Sequence, residues 1–378
     1  MTRREMLAAA GSATAFMSTL KPAAAQTTVM KNFGVASTSF GARSRAGGGG
    51  RGAGGGGGPG GPGGAARGGA GSDAPAQPPA KPIMPPFDII EYAHANNCGE
   101  VETEIPLPDA DAIKKARARL EAYNLRIITS PRLPQEPSDV PAYDAALKNA
   151  KELGVYCLHA AMTARRYEEF DTLEQYQASF ARNQKAVALA EPVLAKHKIR
   201  LAIENHKGWR AVEQAAWLKR MSSEWLCVHL DFGNNLSFCE DPMDTLKTLL
   251  PYIISCHIKD MAVQPYEDGF LLSEIPMGDG FLDLKGMISI LQKKDPNITF
   301  GLEMMTRDPL KIPVFTDKYW ATFQDIPGRD LAHVLHLVRK NKPKYPLWYT
   351  TNMPLEAQVK LEEENNQKCI QWARQNIS

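Results

Sequence analysis

Residues 227–234 read CVHLDFGN. Apolar positions alternate with small or polar ones up to Asp231, and Gly233 and Asn234 then turn the chain. Three other stretches repeat this form: RLAIEN at 200–205, IISCHIKD at 253–260 and ITFGLEMM at 298–305. Each is a short β-like segment that ends near one ligand-type side chain. These are Glu204, Asp231, His257 and Glu303. Three carboxylates and one imidazole form a donor set for a hard or borderline divalent cation.

Strand phasing tests whether the four can meet, because successive residues of a strand face opposite sides. Ala202 and Arg200 share the side of Glu204, against Ile203, Leu201 and Ile199. His229 and Cys227 share the side of Asp231, against Leu230, Val228 and Leu226. Ser255 and Ile253 lie beneath His257, and Gly301 and Thr299 beneath Glu303. One face is aliphatic, as packing under helices requires. The other carries the candidate ligand above mostly small or polar residues. A lone acid at a strand end is usually a helix cap or an ion-pair partner, but four in phase on four strands call for a shared site.

The rest of the chain supplies the frame. Strand patterns fall at Asn32–Ser37, Gly99–Ile105, Leu125–Thr129, Val155–His159, Ile199–Asn205, Trp225–Phe232, Ile253–Lys259 and Ile298–Met304. Helix patterns separate them, including a long one at Thr172–Lys196. Regular alternation with short loops implies a parallel sheet. Eight repeats predict a closed (β/α)8 barrel with its site at the C-terminal ends of the strands. A doubly wound open sheet is the competing arrangement.

Outside the repeats three segments stand apart. Residues 1–25 open with Arg3-Arg4, continue through a weakly apolar run and end at Ala23-Ala24-Ala25. This is the pattern of a twin-arginine signal peptide, and it predicts export to the periplasm or beyond. Residues 26–40 hold the first strand. Residues 41–86 are Gly-rich and then Pro/Ala-rich, too poor in apolar surface to offset their ordering entropy, so a disordered insertion is expected there. Residues 87–310 complete the barrel. Residues 311–378 do not continue the repeat and form an extension ending in an amphipathic helix.

Composition narrows the partners. With 378 residues, 43% of them hydrophobic, the chain can bury a large core. A net charge of only +2 gives no reason to expect nucleic acid or an anionic membrane. No segment has the length and apolarity of a stable membrane span. The six cysteines are scattered, with neither zinc-finger nor disulfide-scaffold spacing.

The segments Ile203-Glu204-Asn205-His206, Leu230-Asp231-Phe232-Gly233-Asn234, His257-Ile258-Lys259-Asp260, Pro276-Met277-Gly278-Asp279-Gly280 and Leu302-Glu303 resemble, in this order, the xylose isomerase-like barrel superfamily, in its branch of sugar phosphate isomerases and epimerases. The resemblance is strong over the second half of the barrel and a matter of pattern in the first. It implies one divalent ion, Mn²⁺ foremost and otherwise Mg²⁺, Co²⁺ or Zn²⁺, held by Glu204, Asp231, His257 and Glu303. It also implies that Glu204 and Glu303 act as an acid/base pair on a keto-sugar through an enediolate, while Asp231 and His257 chiefly anchor the ion. The ketose 3-epimerase pattern carries a His where Asn234 stands, and an Arg shortly after the metal-binding His, where Lys259 and Asp260 stand. That departure weakens free-ketohexose epimerisation and leaves enolisation intact.

Further residues are assigned from their positions. Lys259 shares the inward side of His257 and is a candidate to stabilise a developing oxyanion. His206, Asn234, His159 and Glu104 are candidates for substrate binding, each also suited to a cap, a turn or pocket lining. Gly278 and Gly280 are expected to shape a tight loop. The substrate expected is a small sugar or glycoside, and a homo-oligomer is left open. The rival chemistry is that of a lyase or dehydratase, inosose dehydratase-like or 3-keto-glycoside eliminating, on the same metal site. Phosphodiester hydrolysis would need more strand-end histidines, and non-catalytic sugar binding would not need the full ligand set.

Overall fold

The computed structural model describes residues 28–48, 83–162, 165–323 and 326–377. Residues 1–27, with the signal pattern, and most of the Gly-rich stretch lie outside these. Eleven strands are present among the described residues: β1 Met30–Ala36, β2 Cys98–Glu102, β3 Arg126–Thr129, β4 Cys157–Ala160, β5 Leu201–Glu204, β6 Leu226–Asp231, β7 Ile253–Ile258, β8 Asp260–Tyr266, β9 Gly269–Ile275, β10 Thr299–Leu302 and β11 Leu310–Ile312. Eight of them close a parallel barrel in the order β1-β10-β7-β6-β5-β4-β3-β2. The open-sheet alternative is thereby excluded.

The barrel closes because its strands carry two different faces. Val35, Val101, Ile127, Leu158, Ile203, Val228, Leu230, Phe300 and Leu302 are buried in one continuous core together with helix residues such as Leu120, Leu147, Leu194 and Leu291. Inside the barrel, Ile128, Cys157 and Ala202 form a separate small cluster. Their modest size leaves room above for polar side chains. Gly34 serves the same end: a Cβ there would stand 2.6 Å from the Cβ of Glu100, so only glycine lets that carboxylate lie inside.

Three features depart from the expected frame. Residues 41–46, placed by composition in the insertion, form a helix (Gly41–Ala46). Its first amides are satisfied from far along the chain, since Ala42 N and Arg43 N donate to Glu362 at 2.7 and 2.9 Å. Glu362 lies on the C-terminal helix Leu355–Asn376, which buries Cys369, Ile370 and Ala373 in the main core. The expected amphipathic tail thus packs against the segment following β1. Finally, β8 and β9 form an antiparallel hairpin that β11 extends.

That hairpin builds a second core. Met261, Val263, Phe270, Leu272 and Ile312 pack with Tyr167, Phe238 and Tyr319, and with Val334 and Val338 of the helix Gly328–Lys340. Tyr167 follows β4, Phe238 follows β6 and Met261 follows β7, so this core stands over the C-terminal side of the barrel. All six cysteines are free and buried, and no helix among the described residues is long and apolar enough to cross a membrane.

Candidate metal centre

Neighbouring strands β5, β6, β7 and β10 deliver Glu204, Asp231, His257 and Glu303 in that spatial order. Asp231 and His257 are direct register partners, and His257 also pairs with Gly301, two residues before Glu303. All four are buried, from 1% exposed for Asp231 and His257 to 7% for Glu303. Ligand atoms of Glu204, Asp231 and His257 lie within 4.8 Å of one another. Glu303 Oε1 lies 3.6 Å from His257 Nδ1. The expected set therefore converges on one place.

The hydrogen bonds show which lone pairs are left over. His257 Nε2 is 3.0 Å from Glu102 Oε2, which fixes the ring with Nδ1 toward the acids. Lys259 Nζ donates to Asp231 Oδ2 at 2.7 Å and to Glu303 Oε2 at 2.5 Å. Asn234 Nδ2 donates to Glu204 Oε1 at 2.9 Å and also to Asp231 Oδ2. After these bonds, Asp231 Oδ1 and His257 Nδ1 are buried with no hydrogen-bond partner. Buried polar atoms are nearly always satisfied, so two orphans in one cluster point to a missing partner. The donor set gives the same answer: carboxylate oxygens and one imidazole nitrogen suit a hard or borderline divalent cation. The residues fit such an ion.

A second group, His159, His229 and His257, also brings its ring nitrogens within 4.8 Å of one another. It is a poorer cation site. His159 Nδ1 is 3.0 Å from Glu102 Oε1 and its Nε2 is 3.3 Å from Glu204 Oε2, so both nitrogens are engaged. His229 Nδ1 meets Ser255 Oγ at 2.8 Å, and only its Nε2 is left over. Burial and the neighbouring His257 and His159 charges hold His229 well below the usual range, hence neutral.

Electrostatics divide the acids. Burial raises Glu204, but the His206 charge and the His159 bond outweigh it and keep Glu204 ionised well below the ordinary carboxylate range. Glu303 is likewise held down, by Lys259 and His257 against its burial. Asp231 goes the other way, pushed up by burial and by the charges of Glu303 and Glu204. Burial lowers His257, yet the charges of Glu102 and Glu303 bring it to about 9.

The other expected residues fall in different places. His159 joins Glu102 to Glu204 inside the cage. Asn234 bridges Glu204 and Asp231 and accepts from Lys207 Nζ. Lys259 lies between Asp231 and Glu303. His206 is half-buried after β5, near enough for its charge to act on Glu204. Glu104 is exposed two residues past β2 and stands outside the cage. Its expected place on that strand is taken by Glu102, which has the same phase one period earlier. Asn205 splices two strand ends. Its Oδ1 accepts from Asp231 N at 2.6 Å and its Nδ2 donates to Asp231 O at 3.0 Å. Sequence reasoning missed Glu102, Lys207 and the pairing of Arg307 with the buried Glu274, whose Nη2–Oε1 distance is 2.5 Å. Only Glu102 left a signal, its alternation with Glu104.

Residues 86–321 match the xylose isomerase-like TIM barrel family. The chain belongs to that family. Its relatives include YihM of Escherichia coli, an uncharacterized protein, at 25% identity over 232 residues, covering 58% of this chain and 67% of that one. Another is SgbU of Escherichia coli, provisionally named an L-ribulose-5-phosphate 3-epimerase, at 26% identity over 172 residues, covering 45% of this chain and 58% of that one. Among solved structures, a xylose isomerase domain protein from Planctomyces limnophilus gives a TM-score of 0.46 at 14% identity, covering 66% of this chain and 90% of that one. A xylose isomerase-like barrel protein from Mycobacterium smegmatis, in complex with magnesium, gives 0.45 at 12% identity, covering 66% and 87%. These structural likenesses concern the fold alone.

Proposed function

We propose that this chain is a divalent-metal-dependent enzyme that enolises a keto-sugar, acting as an isomerase or epimerase, with Mn²⁺ the foremost ion. The observation that carries the reading is the arc of Glu204, Asp231, His257 and Glu303 with two buried orphan ligand atoms at its centre. A bound divalent ion supplies Lewis-acid polarisation of a substrate carbonyl and the neighbouring hydroxyl. Glu204 and Glu303 stand at the two ends of the arc and are both held ionised, so either can take the proton α to the carbonyl while the other returns it. Asp231 and His257 hold their positions. Lys259 donates to one oxygen each of Asp231 and Glu303 and balances their charge while no ion is bound.

One observation favours the rival lyase chemistry. Lys207 is 3% exposed and donates to Asn234, which in turn touches Glu204. Burial and the charges of Lys259 and Arg307 push it down to about 8, the range of a proton donor for a leaving group. The amino-terminal signal pattern supports export as part of the same proposal, and a reporter fusion of residues 1–25 that fails to leave the cytoplasm would overturn that part.

The test is product analysis in D₂O with Mn²⁺ on keto-sugars and 3-keto-glycosides. Deuterium at the carbon beside the carbonyl, together with interconverted isomers, is expected, and both should vanish in Glu204→Gln and Glu303→Gln. Elimination products without isomer exchange would sink the isomerase reading in favour of the lyase. No exchange with any substrate would sink both.

A further inference from the structure

Beside the cage a recess opens between the loops that follow β2 and β3 and the helix Val140–Leu153. Its volume is about 540 Å³, within the range of small-molecule sites. It adjoins the metal centre on the C-terminal side of the barrel. Ser130, in its lining, has its Oγ 3.2 Å from His159 Nδ1, and His159 Nε2 is 3.3 Å from Glu204 Oε2. A single residue, Thr103, separates Glu104 in the recess from Glu102 in the cage.

The lining has two characters. Pro106, Pro131 and Leu133 present flat hydrocarbon surfaces. Glu104, Asp139 and Arg132 supply acceptors and a set of donors; the charge of Arg132 acts on Asp139, and neither Glu104 nor Arg132 makes a hydrogen bond or ion pair with another described residue in the structure. Charged groups that stay solvated beside proline and leucine faces suit a molecule with many hydroxyls and an apolar C–H face. A sugar ring is such a molecule. A purely apolar occupant would strand these charges, and a phosphate would meet Glu104.

We propose that this recess is a second sugar subsite, which receives the ring joined to the keto-sugar at the metal centre. The substrate is then a keto-glycoside of disaccharide size rather than a free monosaccharide. This rests on the enolisation reading above for the first ring, and on the recess for the second.

Ala142 is an exposed lining residue on the helix, so Ala142→Trp fills the recess without entering the core. With Mn²⁺ present, the variant should raise KM for a 3-keto-disaccharide at least tenfold and leave kcat/KM for the matching free 3-keto-hexose unchanged. Arg132→Ala should act in the same direction. Equal effects on both substrates, or none on either, would overturn the subsite. If the wild-type protein turns over neither substrate, the enolisation reading fails, and saturation-transfer NMR with the unoxidised disaccharide decides the subsite separately. Binding that Ala142→Trp abolishes upholds it, and absence of binding to the wild type removes it.

Discussion

Lys259 Nζ donates to Asp231 Oδ2 at 2.7 Å, while Asp231 Oδ1 has no partner. The two oxygens of one carboxylate thus have different jobs: the outer one faces a fixed ammonium and the inner one faces the space shared with His257 Nδ1. Lys259 also holds Glu303, so in the metal-free protein it is the main counter-charge of the cage.

Removing that ammonium should therefore separate stability from metal affinity. Lys259→Met leaves Asp231 and Glu303 buried against each other, and breaking a buried pair from one side costs about 3–5 kcal/mol. The metal-free variant is expected to melt lower than the wild type, and saturating Mn²⁺ should raise its Tm by more than it raises that of the wild type. Calorimetric titration should find binding at least as tight. A tenfold weaker affinity would mean that Lys259 organises the site for the ion instead of balancing its absence.

Glu102 acts one step further out. It meets His257 Nε2 at 3.0 Å with one oxygen and His159 Nδ1 at 3.0 Å with the other. Partners of this kind orient a ligating imidazole, and their loss typically costs 10–100-fold in metal affinity. Glu102→Gln should show that loss in a Mn²⁺ titration, with circular dichroism unchanged. Unchanged affinity would show that the barrel wall alone fixes the His257 ring.

These two residues mark how far the sequence could be read. Lys259 was visible because it follows a ligand strand and shares its inward phase. The barrel and the meeting of its four strand-end side chains were visible for the same reason, since strand phase is a local property. Glu102 was missed by one period: β2 ends at Glu102, whereas the acidic pattern runs on to Glu104. The hairpin β8–β9 left a signal too, Asp268-Gly269 between alternating segments, but it was absorbed into the loop between two expected repeats. Lys207 with Asn234 and Arg307 with Glu274 left none. Each joins residues more than 25 positions apart, brought together only by the closed barrel and the hairpin above it.

Below the cage, Glu100 lies inside the barrel at 1% exposure, and both of its oxygens lack hydrogen-bond partners. Burial raises it to about 7, against the opposing charge of Arg126. The folded state therefore holds this proton more tightly than the unfolded chain. Its contribution is fully present at low pH and is lost as pH rises from the ordinary glutamate value toward 7, on the order of 3 kcal/mol in all. Glu100→Gln should flatten the pH dependence of denaturant stability across that window and be the more stable protein at pH 8. A variant less stable than the wild type at pH 8 would show that the ionised carboxylate has a partner that offsets its burial.

Asp260 makes the loop after the hairpin into a fixed piece of the barrel rim. Its Oδ1 accepts from Met261 N and Leu282 N at 2.8 and 3.1 Å, and its Oδ2 from Gly278 N and Gly280 N, both at 3.0 Å. The glycines are required by the same closeness. A Cβ on Gly280 would stand 2.0 Å from Asp260 Oδ1, and Gly278 has φ +86° with Trp372 of the C-terminal helix 2.7 Å from its would-be Cβ. Asp260→Ala removes the acceptor from four backbone donors at once. At about 1–3 kcal/mol for each donor left buried and unpaired, a loss of roughly 3 kcal/mol is expected even if water satisfies most of them. Asp260→Asn keeps one good acceptor and should lose less. Limited proteolysis should then cut within 276–282 in the alanine variant and spare the wild type. Because Asp260 lies only three residues after His257, the alanine variant should also lose Mn²⁺ affinity. Equal cutting of both proteins would mean that packing against Trp372, not the carboxylate, holds the loop in place.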